Sequence, residues 1–162
     1  MSMTTDKKTV WKQKLAQSRM DLRILLTSLN PEQWDSVVFS EEDSWTVSTV
    51  VSHLIDSERG MSIHVHKIRK GEETLPEGFD LQRWNAGVKK RVGNLTSGEL
   101  LVRLAETRAK TLEVMDSLKD EEWLLTGRHG SRGIITVEQY YETIHGHELS
   151  HTRDIKEALG LV

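Results

Sequence analysis

Proline interrupts the 162-residue chain only at Pro31 and Pro76. Because proline breaks helix interiors and central strands, long uninterrupted elements are allowed almost everywhere else. The alternating apolar–polar pattern of half-buried strands is hard to find, whereas apolar residues recur at three- and four-residue spacings. An all-α fold is predicted. With 36% hydrophobic residues the chain has material for one core but is short for two, so residues 1–162 are read as a single domain.

Four long amphipathic segments stand out. The first runs from about Asp6 to Leu29 and carries Val10, Leu15, Leu22, Leu25 and Leu26. Asn30-Pro31 ends it and starts a short turn of helix anchored by Trp34. The second begins near Thr46, after the acidic loop Glu41-Glu42-Asp43, with Trp45 as a hydrophobic staple, and continues to about Arg69. Gly71 to Phe79 reads as a connection, followed by a short helix over Leu81 to Val92 that bears Trp84. Thr96 and Glu99 form a capping-box pattern at the head of the third long helix, which Leu100, Leu104, Leu112 and Met115 carry to about Leu118. A loop from Gly127 to Gly133 leads to a second capping box, Thr136 to Gln139, and a last helix ending at Leu159-Gly160. The simplest packing is a four-helix bundle of up-down type with a longer connection between helices two and three.

Composition narrows the chemistry. There are no cysteines, so disulfides, thiolate ligands and a cysteine nucleophile are excluded, and any metal must sit on His, Asp or Glu. The net charge of −3 provides no global basic field, and no apolar run is long enough to cross a bilayer. The expectation is a cytoplasmic protein with a small-molecule substrate and neither nucleic acid nor membrane as partner. Lys89-Lys90-Arg91 is one short basic run, read as a solvated helix face.

Seven histidines remain to be sorted. On the last helix the apolar residues Tyr140, Ile144, Ile155 and Ala158 define a buried arc, with His147 at its edge and His151 inside it, one turn on. That spacing lets two imidazoles reach one ion. A catalytic zinc site usually has three protein ligands, and His53, at the edge of the second helix's apolar arc, is placed to face the last helix across the bundle. The alternative, that these are ordinary boundary histidines with hydrogen-bond partners, stands beside it. His64 shares His53's face but lies three turns on, about 16 Å along the axis. His66, His129 and His145 project elsewhere or sit in a loop, so all four are read as non-ligands.

His147-Glu148-Leu149-Ser150-His151 is also a literal His-Glu-x-x-His string, the metallopeptidase motif in which Glu is the general base. The extended form fails, since Asp154 and Glu157 occupy the positions of its Gly and third His, and only residues 152–162 follow the motif. No convincing strand precedes it to hold a peptide. A zinc peptidase is therefore the weakest reading.

Trp45-Thr46-Val47 leading to His53-Leu54-Ile55-Asp56-Ser57-Glu58, together with His147-Glu148-x-x-His151-x-x-Asp154-Ile155, resembles the DinB/YfiT-like bundle proteins over most of the chain. That family includes bacterial thiol-dependent transferases and proteins assigned as metal-dependent hydrolases. The resemblance implies one divalent metal, zinc or nickel foremost, on His53, His147 and His151, with a low-molecular-weight thiol as a further cofactor and a homodimer as the assembly. The family commonly has Gln where this chain has Asp154, a carboxylate that could orient an imidazole or form a surface salt bridge.

Three imidazoles leave the ion its charge and an open position, which lowers the pKa of a bound water or thiol towards neutrality. The first expectation is thus a metal-dependent transferase or hydrolase, with Glu148 and Glu58 as the candidate proton acceptors. The second is a non-catalytic metal-stabilised bundle in stress response or protein interaction, which predicts no open pocket beside the ligands.

Overall fold

The computed structural model describes residues 3–40 and 44–162, so the acidic loop expected at Glu41-Glu42-Asp43 lies outside the described residues. Four long helices dominate: α1 (Met3–Thr27), α3 (Val47–Arg69), α6 (Ser97–Asp116) and α7 (Val137–Ala158). Between them lie the single turn α2 (Pro31–Trp34), the short helices α4 (Leu81–Ala86) and α5 (Val88–Val92), and a 3-10 turn at Asp120–Leu124. The helix starts singled out in the sequence have the chemistry expected of them. Asn30 and Gln33 exchange backbone N–H bonds at 2.8 and 2.9 Å, as do Thr96 with Glu99 and Thr136 with Gln139, and Thr46 Oγ1 accepts from the Thr49 N–H at the head of α3. These bonds satisfy donors that helix geometry leaves free.

Two antiparallel ribbons correct the expectation that strands are absent. β1 (Val37–Phe39) pairs with β2 (Trp45–Thr46), and β3 (Thr126–His129) pairs with β4 (Gly133–Thr136). None exceeds four residues, too short for period-two alternation to show. The second ribbon occupies what reads as a Gly/Arg loop. A Cβ at Gly127 would come within 2.6 Å of the Ile68 side chain, so glycine here lets the ribbon lie directly on α3.

Two apolar clusters fill the bundle and set the helix directions. One gathers Leu22, Leu25 and Leu26 of α1, Val47 to Ile55 of α3, Leu100 and Leu104 of α6, and Ile155 of α7. The other gathers Trp11 and Leu15, then Met61, Val65 and Ile68, then Met115, then Val137 to Ile144. Helices α1 and α7 therefore run from the second cluster to the first, while α3 and α6 run the opposite way. The order is up, down, down, up, which corrects the expected up-down arrangement. Helices α3 and α6 pack side by side in the same direction, so the chain must travel back along the bundle between them, which residues 70–96 do through α4 and α5.

A polar layer separates the clusters. Arg108 donates to Glu58 Oε1 at 2.9 Å, to Glu148 Oε2 at 3.0 Å and to the Leu15 carbonyl at 2.8 Å. Arg19 donates to Glu148 Oε1 and Ser18 to Glu148 Oε2, both at 2.6 Å. All four long helices contribute to it.

Candidate metal centre

His53 lies two turns into α3, and α7 carries His147 and His151 one turn apart on the face that meets it. Because α3 and α7 run antiparallel, the first half of one meets the second half of the other. The three imidazoles converge through the same nitrogen: His147 Nε2 stands 2.9 Å from His53 Nε2 and 3.0 Å from His151 Nε2. Among the described residues these three form the one group of His, Asp and Glu side chains disposed to hold a metal ion, with ligand atoms within 4.8 Å of one another.

Hydrogen bonding alone serves this arrangement poorly. The Asp154 carboxylate, 3.0 Å from His151 Nδ1, holds the His151 proton there and leaves Nε2 as a bare lone pair. His147 Nε2 then faces two nitrogens with one proton to share at most. Burial, reinforced by the neighbouring histidines, pushes His147 down to about 2 and His53 down to about 4. His151 is lowered chiefly by burial, which Asp154 partly opposes. Neutral rings that converge on lone pairs are the donor set a divalent cation requires. Two nitrogens bound to one tetrahedral zinc stand roughly 3.3 Å apart, so the cluster accepts such an ion after opening by a few tenths of an ångström. The residues fit a metal.

The other expected site residues fall into two groups. Asp154 is at the cluster, orienting His151. Glu148 and Glu58 are not: their partners are Ser18, Arg19 and Arg108 in the polar layer. Arg108 and Arg19 hold Glu148 below the usual carboxylate range against the opposing pull of burial. The two carboxylates expected as proton acceptors are thus bonded to arginines and Ser18 of the polar layer. Helical projection finds that Glu148 is buried but not that its arc faces α1 and α6.

Sequence reading missed the walls of the site. The Trp45 ring lies 5.0 Å from the His53 ring and the Phe39 ring 6.0 Å from His151, so the first ribbon shields one side of the cluster. On the other side His53 and His147 open into a cleft of about 390 Å3 walled by Leu75, Phe79, Leu81 and Trp84. Trp45 carries a hint in sequence, since it sits eight residues before His53; the cleft carries none, because residues 70–86 meet α3 only in three dimensions.

A sequence profile of the DinB superfamily matches residues 14–155. The chain belongs to the DinB superfamily. Solved structures of the same fold include YfiT from Bacillus subtilis, described as a probable metal-dependent hydrolase with an unusual four-helix bundle topology. It is 22% identical, with a TM-score of 0.73 over 100% of this chain and 91% of that one. An uncharacterised protein from Escherichia coli UTI89 is 14% identical with a TM-score of 0.75, covering 94% of this chain and 92% of its own. The colibactin self-resistance protein ClbS, solved in complex with double-stranded DNA, is 15% identical with a TM-score of 0.73, covering 96% of each chain. No curated protein matches the sequence.

The ClbS complex overturns the exclusion of nucleic acid. A bundle of this fold can be found on duplex DNA, so a net charge of −3 over the whole chain does not remove DNA from the partners this fold allows. Among the described residues no helix is long and apolar enough to cross a membrane.

One expectation on stability follows from the buried rings. Burial lowers His64 to about 4, as it does His53, against 6.5 in an unfolded chain. Between those values the unfolded state binds more protons than the folded one, so stability rises with pH and is lost as pH falls from about 6.5 towards 4. Thermal unfolding of EDTA-treated protein should show a lower midpoint at pH 5 than at pH 7.5, and His64→Asn should flatten that slope. A midpoint that rises on acidification would contradict it.

Proposed function

We propose that this protein binds one divalent metal ion, zinc or nickel foremost, through His53, His147 and His151 and uses it to act on a small electrophile in the adjoining cleft. The observation that carries the reading is the meeting of three Nε2 atoms at the mouth of that cleft. His53, His147 and His151 would hold the ion through neutral nitrogens that leave its charge uncancelled, and when bound it would supply the acidification that makes water or a thiol nucleophilic at neutral pH.

The chain's own residues do the rest. Asp154 fixes the His151 tautomer, and Trp45 and Phe39 screen the cluster from solvent on one side. Ser57, whose Oγ lies 3.5 Å from His53 Nδ1, sits on the cleft floor beside the cluster. Either transfer of a low-molecular-weight thiol or hydrolysis satisfies this geometry; the description of YfiT favours hydrolysis and the wider family resemblance favours thiol transfer. A purely structural metal suits the bundle less well, because a closed site would not open into a cleft lined by two of its three ligands.

Protein purified without a metal-affinity column should contain about one equivalent of a divalent metal by elemental analysis. It should then be assayed against chromogenic esters alone and against a chromogenic electrophile with a panel of thiols. Metal-free protein that takes up no zinc or nickel on titration would refute the reading, and a loaded protein inert in both assays would leave the structural alternative in its place.

A further inference from the structure

The floor of the cleft is a single stripe of α3. His53, Ser57, Gly60, His64 and Lys67 all line it, at spacings of 4, 3, 4 and 3 residues that place them on one face of the helix. From His53 to Lys67 the stripe spans about 21 Å at 1.5 Å per residue. Its two ends differ in chemistry. The first is the histidine cluster, and in the middle, between Ser57 and His64, Gly60 leaves the helix bare. The second carries a cation.

Gly60 accounts for the middle. Glycine is the poorest helix former after proline, yet it stands mid-way along α3, and a Cβ built there meets nothing within 4 Å. No close packing requires glycine at this point. What a side chain would occupy is the cleft itself, between the apolar walls.

Charge accounts for the far end. The cleft is lined by one carboxylate, Asp56, but Arg91 and Arg59 pair with it at 2.8 and 3.0 Å. Lys67 also lines the cleft, half-buried, and no described carboxylate is within ion-pair distance of it. His129, the last residue of β3, lines the same cleft and has a defined tautomer: its Nδ1 accepts the backbone N–H groups of Ser131 and Arg132 at 3.1 and 3.3 Å. The ring proton is thereby left on Nε2, a donor that makes no bond among the described residues.

We propose that the cleft binds an elongated apolar monoanion, with its reactive end at the histidine cluster, its body across Gly60 and its anionic group at Lys67 and the Nε2–H of His129. The placing of the reactive end rests on the function proposed above; recognition of the anion and the body does not.

The test uses the full chain stripped with EDTA, so that its outcome is independent of the metal. Two fluorescent probes of matched shape serve as ligands, anionic 8-anilinonaphthalene-1-sulfonate and its uncharged counterpart N-phenyl-1-naphthylamine. The wild type should bind the anion more tightly. Lys67→Ala should weaken the anion about five- to tenfold and change the neutral probe less than about twofold. Gly60→Leu should weaken both at least about tenfold, with unchanged helical circular dichroism, since leucine favours helix over glycine. The proposal is overturned if the wild type binds neither probe, if Lys67→Ala shifts both alike or neither, or if Gly60→Leu leaves both intact. Failure of the metal reading shows separately, in the elemental analysis.

Discussion

Replacing His147 with alanine should abolish stoichiometric metal binding, a loss of affinity of more than about a hundredfold. His147 Nε2 is the centre of the cluster, with His53 and His151 each about 3 Å away on either side, so its removal leaves two nitrogens that no longer share a neighbour. Two imidazoles hold a divalent ion far less well than three. Asp154→Ala should weaken binding by about tenfold to a hundredfold, the usual effect of releasing a ligand's orienting partner. His145→Ala is the control: its ring packs edge-on against Trp11, and its metal content should match wild type. Titration of each EDTA-treated variant with zinc, read by a chelating indicator, distinguishes them. Unchanged affinity in His147→Ala would sink the ligand assignment.

The convergence of the three histidines was largely legible because its information is local. His147 and His151 are one turn apart, and any helix that includes both presents them together; His53 needed only the projection of a second helix onto its own apolar arc. The capping boxes at Thr96 and Thr136 were legible for the same reason, being contained within four residues. What could not be read is what depends on which helix lies next to which. Glu148 falls in the buried arc of α7 by projection, but an arc does not say whether it meets α3 or α1, and the Arg108 that claims it is 40 residues away.

Helix direction was hidden in the same way. Hydrophobic periodicity is identical for a helix read up or down, so the parallel course of α3 and α6 has no signature in either helix. The signal lies in residues 70–96, a connection long enough to span the bundle, where neighbouring antiparallel helices would need only a few residues. Once α3 and α6 run together, that connection is laid along the outside of α3, and it is this crossing segment that walls the cleft beside His53. The fold's departure from a simple up-down bundle and the presence of a substrate-sized cleft thus have one cause.

Arg108→Ala should destabilise the protein by about 3–5 kcal/mol, the range for breaking a buried ion pair from one side. Arg108 bridges Glu58 and Glu148 in the layer between the two apolar clusters, and all three side chains are less than 10% exposed. Its removal leaves two carboxylates to Arg19, which reaches Glu148 at 2.6 Å but Glu58 only at 3.7 Å. The penalty is mostly that of an uncompensated buried charge, so Arg108→Met combined with Glu148→Gln, which leaves Arg19 and Glu58 to balance each other, should recover much of it. Urea unfolding monitored by tryptophan fluorescence measures both. The same series decides what Glu148 is for: in the recovered double variant, metal content should equal wild type, because no histidine of the cluster has lost a partner. A double variant that folds but no longer binds metal would return Glu148 to the metal site and displace the structural role that its contacts with Ser18, Arg19 and Arg108 assign it.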